Sequence, residues 1–491
     1  MTRRSRLSGL AALPMVVLLG TASLPVVFLL SRLAVGEMAV DGASLAATAA
    51  FALGGAAVAT ATGAAAGITA GVLALPAGRW LIGAACVLIA APPAFWWLGA
   101  THVPGIPWNL LSGLAGGAVV AGLALSPVPL LLVLAALREV PSNLYEAARV
   151  GLRPWQRVCF VLLPLLRAPL AAGFLLVAIL LLGESEIPFL FGFRTAMTDV
   201  VTLFAQTYDV TRTIPLVVPL LLAVLVLAVL AGRPLLRTIL ATSRGTHGVV
   251  RRPTSVMSAI PATVPAAIAA ISLSGYAAAS FAGGLPEWRA TPAIFWASIA
   301  EAVGCAWIAL LLVVVAAYPL RAAPGAKVAL WIALLVFCVP AAIFGIGWIG
   351  ISHALGGFQV PPLAAHVSRA IALPLLGFAI AYARLPRSLE DAARLVAVSP
   401  FQRALWLVLP LVAPSLVAAS ALVAALAFAD RDVASLLLPA GGSRLMLDLY
   451  LLSANAPSRV VGAAAFTALG GAALSVALAA AGPLFLWRPR G

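Results

Sequence analysis

Charged residues are scarce in this chain. Asp, Glu, Lys and Arg make up only 9% of its 491 residues, and lysine occurs once, as Lys327. Roughly 25–35% of the surface residues of a soluble domain are charged, so the composition excludes a soluble enzyme of this size. A phosphate-binding P-loop needs a Gly-Lys-Ser/Thr sequence, whereas Lys327 stands between Ala326 and Val328. The sequence therefore excludes a nucleotide site of this kind.

Cysteine is also rare. The four cysteines are Cys86, Cys159, Cys305 and Cys338, and all of them lie in apolar stretches without a CxxC pattern. This placement predicts buried thiols rather than disulfides or metal ligands. We therefore expect neither a resident metal nor a cofactor.

Apolar residues are abundant instead. They make up 63% of the chain, against roughly 45–50% in an ordinary soluble domain. A membrane span takes about 20 residues, so the apolar runs between Pro, Gly and Arg predict an all-α polytopic membrane protein with about twelve transmembrane helices, six in each half. The predicted spans are residues 8–31, 43–75, 80–100, 108–137, 159–183 and 214–236, then 259–283, 291–320, 327–352, 363–383, 404–428 and 459–487.

The basic residues are distributed unevenly between the predicted loops. The formal net charge is +15, but the arginines are isolated by long apolar runs, which excludes the clustered basic face that a nucleic-acid partner requires. With a cytoplasmic N-terminus and alternating spans, most arginines fall on the inner side, as the positive-inside rule requires. An even number of spans keeps Arg488 and Arg490 inside too. We therefore expect both termini to be cytoplasmic. The spans themselves are expected to contact membrane lipid.

One segment recurs half a chain later. Glu146-Ala147-Ala148-Arg149, Pro154-Trp155-Gln156-Arg157 and Leu163-Pro164 return as Asp391-Ala392-Ala393-Arg394, Pro400-Phe401-Gln402-Arg403 and Leu409-Pro410. This self-similarity predicts two six-span repeats related by a pseudo-twofold axis, at residues 1–242 and 259–491, joined by a cytoplasmic linker at 243–258. Both copies fall in the cytoplasmic loop between the fourth and fifth spans.

Each copy has the features of a short surface helix. Alanines favour the helix, and Leu144, Ala147, Ala148 and Gly151 recur at spacings of three to four, which gives one narrow face of small side chains. Small side chains permit a partner surface to approach closely. The alternative is an ordinary basic amphipathic loop on the membrane surface, but two copies at matching positions favour a docking helix.

At these residues the sequence resembles the inner-membrane permease subunits of ATP-binding-cassette (ABC) importers. Their cytoplasmic EAA signature is Glu-Ala-Ala, three residues, Gly, and a run that ends near Leu-Pro. The first copy has two residues rather than three between Ala148 and Gly151, and the second has Asp391 for Glu and Ala397 for Gly, so docking can differ between the copies. The fused twelve-span arrangement is similar to ferric-iron permeases and also to thiamine permeases.

The resemblance implies both a role and partners. In that family the motif forms a coupling helix that docks on a separate cytoplasmic ATPase dimer, and a periplasmic or lipid-anchored binding protein delivers the solute to the bacterial inner membrane. By resemblance, the chain is not itself an enzyme. The residues that would contact the ATPase are Glu146, Ala147, Ala148 and Gly151 in the first copy, and Asp391, Ala392, Ala393 and Ala397 in the second.

Acidic residues near the predicted outer ends of spans are candidates for the substrate pathway. Glu184 and Glu186 end the fifth span of the first half, and Asp430 and Asp432 occupy the matching positions in the second. If these four carboxylates line the outer mouth, they would attract a hard cation such as ferric iron. In the alternative interpretation they pair with nearby arginines, namely Arg194, Arg431 or Arg444. Glu301, inside the eighth span, is a further candidate.

We therefore predict the permease subunit of a binding-protein-dependent importer, with ferric iron as its cargo. Thiamine or a polyamine would also satisfy the acidic pattern. An ion-coupled secondary transporter is the main alternative class, and it predicts several acidic residues buried in the middle of spans. A membrane-embedded enzyme would need clustered His, Asp or Lys at one face, and the sequence has no such cluster.

Overall fold

The described part of the chain is helical. The computed structural model describes residues 3–32, 41–72, 87–105, 107–137, 140, 142–241, 260–281, 292–320, 326–383, 385–395 and 399–486. Within these ranges the chain forms helices joined by turns, without a strand. The predicted linker, residues 243–258, lies outside them.

The first half contains eleven described α-helices, apart from a 3₁₀ turn at Trp108–Leu110 and a π turn at Val158–Leu162. They are α1 (Arg3–Ser31), α2 (Gly42–Val72), α3 (Pro93–Thr101), α4 (Gly113–Leu125), α5 (Pro127–Leu137), α6 (Ser142–Gly151), α7 (Pro154–Arg157), α8 (Leu163–Leu182), α9 (Glu186–Phe191), α10 (Ala196–Thr207) and α11 (Val210–Ala241).

The second half contains twelve described α-helices and a π turn at Ala404–Val408. They are α12 (Ile260–Phe281), α13 (Pro292–Leu320), α14 (Ala326–Cys338), α15 (Ala341–Ala354), α16 (Pro362–Ala370), α17 (Ala372–Ala383), α18 (Arg387–Leu395), α19 (Pro400–Arg403), α20 (Leu409–Ala429), α21 (Asp432–Leu437), α22 (Leu445–Asn455) and α23 (Ser458–Leu486).

The all-α polytopic class is confirmed. In the described ranges, eight helical stretches are long and apolar enough to cross a membrane, and two bent pairs raise the number to ten. All ten coincide with predicted spans. Of the other two predicted spans, the first is helical throughout α1, although its apolar part, Val17–Ser31, is short. The span at residues 80–100 is only partly described. A total of about twelve is thus compatible with the helix lengths.

Two spans that the hydropathy pattern predicts as continuous are broken. The span at residues 108–137 bends by 40° between α4 and α5, and the span at 327–352 bends by 100° between α14 and α15. Each break carries a proline, Pro127 at the start of α5 and Pro340 before α15. Proline lacks the N–H that would continue the helical hydrogen bonds, whereas it fits the first turn of a new helix.

Contacts divide the chain into two compact units. Unit A consists of residues 35–288 and 452–465, and unit B of residues 1–34, 289–451 and 466–491. The first helix of each sequence half is therefore grouped with the other half: α1 belongs to unit B and α12 to unit A. The predicted repeats at 1–242 and 259–491 describe the sequence duplication, and they do not coincide with these units.

In unit A, α2 packs against α4, α5 and α8, and α12 packs against α3. Small residues allow these close approaches: a Cβ at Gly122 would lie 2.5 Å from the carbonyl oxygen of Gly55. Two hydrogen bonds join α12 to α3, because the Tyr276 hydroxyl donates to Phe95 O at 2.8 Å and the Ser272 hydroxyl donates to Trp96 O at 2.6 Å. Small residues and polar bonds of this kind stabilise helix pairs in membranes.

In unit B, α1 packs against α13, α14 and α15, and α13 packs against α20. Gly347 and Gly350 of α15 face Pro25 and Phe28 of α1, and a Cβ at Gly347 would lie 2.8 Å from the Pro25 Cβ. The absence of side chains at these two glycines brings α1 against the broken span α14–α15.

The two copies of the repeated segment have the same local structure. In each, a short helix (α6 or α18) precedes a one-turn helix (α7 or α19), a π turn and a long span (α8 or α20). At the π turns the Leu163 amide donates to Val158 O and the Leu409 amide donates to Ala404 O. Pro164 and Pro410 follow at once and lack the N–H for the next α-helical bond, which explains the wider turn.

Candidate functional sites: two exposed helices and a buried charge network

The first candidate is the exposed helix α6. Glu146, Ala147 and Gly151 are exposed and Ala148 is half-buried, so the predicted contact residues are accessible. Val150 is 92% exposed, which leaves an apolar side chain in the open beside them. Leu144 on the same helix is 44% exposed, so α6 presents two apolar side chains to its surroundings.

Helix α18 has the same character in the second half. Asp391 and Ala392 are exposed, Ala393 is half-buried and Leu395 is 87% exposed. Ala397, the residue in place of the signature glycine, lies outside the described residues. Both helices thus present small and apolar side chains at corresponding positions.

The repeated glutamine that follows each helix closes a turn. Gln156 Oε1 accepts a hydrogen bond from the Arg153 amide at 2.9 Å, and Gln402 Oε1 accepts one from the Ser399 amide at 3.1 Å. In the second copy the Ser399 hydroxyl accepts in return from the Gln402 amide at 3.2 Å. This reciprocal pair is a capping box. It fixes the angle at which the one-turn helix and the span behind it begin.

The second candidate is a buried network of charged side chains in unit B. Glu301 on α13 accepts a hydrogen bond from Arg444 Nε at 2.5 Å, and its other carboxylate oxygen lies 3.3 Å from His366 Nε2. The second ring nitrogen of His366 lies 3.8 Å from Asp430 Oδ2, and Arg369 donates to the same oxygen at 3.1 Å. The five side chains form one connected set, in which His366 lies near both carboxylates and each carboxylate binds an arginine.

The ends of this network are fixed to the backbone. Arg369 Nε donates to Val339 O at 3.2 Å, at the break between α14 and α15. Asp430 Oδ1 accepts from the Val433 amide at 3.1 Å, in the first turn of α21. The network therefore connects a broken span, helix α16 and the connection between α20 and α21.

Asp432 forms a separate pair beside the network. Arg431 Nη2 lies 3.2 Å from Asp432 Oδ1, and the Arg431 guanidinium lies 4.0 Å from the centre of the Tyr450 ring. Two of the three arginines that the alternative interpretation names, Arg431 and Arg444, thus bind carboxylates in unit B, Asp432 and Glu301 respectively.

The predicted acids of unit A have different surroundings. Glu184 Oε1 accepts from the Glu186 amide at 2.8 Å and from the Ile187 amide at 3.3 Å, so it caps the short helix α9. Glu186 is buried. The exposed Arg194 binds Asp199 at 2.9 Å, and this hydrogen bond raises the pKa of the Arg194 guanidinium. Glu184 and Glu186 are thus placed in unit A, and Asp430 and Asp432 in unit B.

The structure describes three of the four cysteines, and one of the three is not buried as predicted. Cys305 and Cys338 are buried, as predicted, but Cys159 in the first π turn is exposed. Apolar neighbours in the sequence do not distinguish a side chain that faces the bundle from one that faces outward. Cys86 lies outside the described residues. In the part of the chain that the structure describes, His, Cys, Asp and Glu do not form a group of three placed to hold a metal ion.

His366 and Arg369 are the site residues that the sequence reasoning missed. Both lie on α16, three residues apart, so they share one face of the helix. A histidine and an arginine one turn apart in a predicted span are a signal in themselves, since such groups face a bundle interior or a cavity.

A comparison with known protein families bears on the first of these sites, the exposed helix α6. Residues 63–233 match the sequence model of the family described as the inner membrane component of binding-protein-dependent transport systems. The match supports a permease subunit of an ABC importer. It covers less than half of the chain, from α2 to α11, and includes α6 with Glu146. A search of the curated proteins found no match.

The description of this family agrees with the structure. Inner-membrane components of binding-protein-dependent systems are non-enzymatic, and they work with a substrate-binding protein and an ATPase. The long apolar helices agree with a membrane-embedded component. Of the two candidate sites, the exposed helix α6 lies in the matched range and the buried network lies outside it.

Proposed function

We propose that this chain is a fused permease of a binding-protein-dependent importer, and that α6 and α18 both couple it to a separate ATPase dimer. The observation that carries the proposal is the accessibility of Glu146-Ala147-Ala148 on α6, within the family match, together with the same local structure around α18. Two permease repeats in one chain would give each subunit of an ATPase dimer its own docking helix.

The local structure supports a mechanical role for these helices. Each short helix contacts or precedes a one-turn helix whose start is fixed by a glutamine, and the π turn then leads directly into a long span. Because helices are stiff along their axes, a displacement of α6 or α18 by a moving partner passes into α8 or α20. Small side chains at the contact would let the partner surface approach the helix backbone.

Ferric iron is the proposed cargo, on the resemblance of the fused arrangement, with thiamine and polyamines as alternatives within the class. The structure bears on how a cation would be handled. Asp430 and Asp432 each lie within 3.2 Å of an arginine nitrogen, so the carboxylates of unit B are largely balanced by cations. We therefore assign selection of the cargo to the binding protein, with the permease supplying the pathway.

An ion-coupled secondary transporter is the second candidate function. The buried His366, which lies within 4 Å of carboxylate oxygens of both Glu301 and Asp430, favours it, because proton-coupled transporters use buried titratable groups of this kind. The two candidates differ in their energy source. Transport that proceeds in liposomes under an ion gradient, without ATPase or ATP, would support the secondary transporter and contradict the coupling proposal.

Co-purification tests the coupling proposal. We expect the permease to capture a cytoplasmic ABC ATPase. Glu146→Lys together with Asp391→Lys should abolish capture, because the long cation disturbs the small-residue face of each helix. The matched control is Arg194→Gln, which changes an exposed charge elsewhere in the chain. Equal capture by the double variant and the wild type would contradict the proposal.

Orientation is a separate part of the proposal, with both termini on the cytoplasmic side of a bacterial inner membrane. The reporter is Val150→Cys, in a chain whose native cysteines are replaced by serine or alanine, because position 150 is 92% exposed and lies on α6, before the span. A membrane-impermeant maleimide should label the Val150→Cys variant in inside-out vesicles and leave it unlabelled in intact spheroplasts. The reverse pattern would place α6 on the outer side and exclude contact with a cytoplasmic ATPase.

A further inference from the structure

Each of two long spans holds the first amide of a short helix through a hydroxyl group. In unit A the Ala196 amide, at the start of α10, donates to Thr48 Oγ1 on α2 at 2.8 Å. In unit B the Leu445 amide, at the start of α22, donates to Ser298 Oγ on α13 at 3.0 Å. These contacts occupy equivalent places in the two units, and we name them the first joint and the second joint.

One helical turn further along each span, the two joints differ in chemistry. In the first joint the ring of Phe51, which is fully buried, lies 5.3 Å from the ring of Phe193. In the second joint Glu301 binds Arg444 at 2.5 Å, and the two side chains are 9% and 24% exposed. An apolar contact therefore closes the first joint and an ion pair closes the second.

The two chemistries respond differently to water. Separating Phe51 from Phe193 exposes apolar surface, and the free-energy cost grows with the exposed area. Separating Glu301 from Arg444 in the presence of water returns hydration to both charged groups. The hydration regained offsets much of the Coulomb attraction that is lost. The second joint can thus open into water at a lower cost than the first.

We propose that the second joint is the one that opens during the transport cycle, so that α22 moves relative to α13 while α10 stays fixed on α2. This inference rests on the proposed function, because the ATPase supplies the movement. Glu301 and Arg444 are then positioning residues: they hold the start of α22 in the closed state and release it to water. Ser443, whose hydroxyl binds Asp448, keeps the first turn of α22 intact on release.

Two buried positions serve as matched reporters. Leu445 is 1% exposed and Ala196 is 0% exposed, and each carries the amide that its joint holds. Leu445→Cys and Ala196→Cys are introduced separately into a chain whose native cysteines are replaced by serine or alanine. The full permease–ATPase complex is placed in lipid nanodiscs and treated with a water-soluble maleimide, with and without Mg-ATP. We expect Mg-ATP to raise the labelling rate of Leu445→Cys several-fold and to leave Ala196→Cys unlabelled.

Variants of the Glu301–Arg444 ion pair test whether this pair allows the second joint to open. Glu301→Met with Arg444→Leu replaces the pair by apolar side chains of similar size, which preserves folding in comparable cases, and should suppress the labelling of Leu445→Cys. Glu301→Arg with Arg444→Glu restores an ion pair of opposite direction and should restore labelling. Thermal unfolding of each variant confirms that the chain is folded, and only folded variants are compared.

The outcomes separate this inference from the proposed function. If the complex hydrolyses ATP while Leu445→Cys stays protected, or while both reporters are labelled alike, the inference is wrong and the proposed function stands. Unchanged labelling in the apolar variant also overturns the inference. If the complex neither assembles nor hydrolyses ATP, the proposed function is wrong and the inference falls with it.

Discussion

The Nε2 atom of His366 lies 3.3 Å from Oε1 of Glu301, in the interior of unit B. The other ring nitrogen lies 3.8 Å from Asp430, so a single imidazole separates two buried carboxylates. Each carboxylate also binds an arginine: Glu301 binds Arg444 through its other oxygen, and Asp430 binds Arg369 through the oxygen nearest His366. Three of the five polar side chains, Glu301, His366 and Arg369, lie in predicted membrane-spanning helices, and the stability of the arrangement depends on its members having partners.

Replacement of His366 tests this dependence. His366→Leu removes the polar group between the carboxylates, and leaving a buried polar group without its partner costs about 1–3 kcal/mol. We therefore expect a lower melting temperature for purified His366→Leu in detergent. His366→Gln retains an amide that can donate a hydrogen bond, so its melting temperature should lie between those of His366→Leu and the wild type. Equal melting temperatures for all three proteins would show that the imidazole contributes nothing to folding.

Arg369 is expected to matter more than an exposed arginine in a similar pair. Arg369→Gln leaves the buried Asp430 carboxylate without its guanidinium, and breaking a buried pair in this way costs about 3 kcal/mol. The matched control is Arg194→Gln, because Arg194 also binds an aspartate but its side chain is 77% exposed, and exposed pairs contribute little. Thermal unfolding of both variants measures the difference. A control as unstable as Arg369→Gln would contradict the role assigned to burial.

The apolar side chains beside the coupling motifs should contribute to ATPase binding. Val150→Ser and Leu395→Ser remove apolar contacts from α6 and α18 without opening a cavity, since both positions are highly exposed. We expect weaker capture of the ATPase and an unchanged melting temperature. Leu355→Ser, at a 70% exposed position after α15, is the control and should bind the ATPase normally. Normal capture by Val150→Ser and Leu395→Ser would show that the partner does not contact these side chains.

Close packing between α3 and α12 predicts a strong effect of one methyl group. A Cβ at Gly275 would overlap the carbonyl oxygen of Gly99, so Gly275→Ala must push the two helices apart at a cost of about 1–3 kcal/mol. Gly470→Ala is the matched control, because a Cβ there meets no atom within 4 Å and alanine favours the helix. We expect a lower melting temperature for the first variant and an equal or higher one for the second. The reverse order would contradict the packing of α12 on α3.

The sequence predicts the positions of the spans well because lipid exposure imposes a long apolar run on each of them. It also predicts the helices at Glu146 and Asp391, since small residues and flanking prolines are local signals. It predicts the spans at 108–137 and 327–352 as continuous, whereas they bend at Pro127 and Pro340. Hydropathy averages over a window and is insensitive to one missing N–H.

Local sequence signals of this kind do not predict the charge network. Glu301, His366 and Arg444 lie far apart in the chain, and only the packing of α13, α16 and the turn before α22 brings them together. The grouping of α1 with unit B has the same origin. It depends on glycines of α15 that face α1, and hydropathy carries no information about which helix will be the neighbour.

The grouping of α1 and α12 has a consequence for biosynthesis. During synthesis α1 enters the bilayer well before α13, α14 and α15 are made. Until then α1 is surrounded by lipid and lacks its final neighbours. Unit A includes residues 452–465 as well as α12, so both units need nearly the whole polypeptide. A gene cut within residues 243–258 would therefore give two fragments that each lack a helix held by the other, and neither fragment should mature unless both are expressed in one cell.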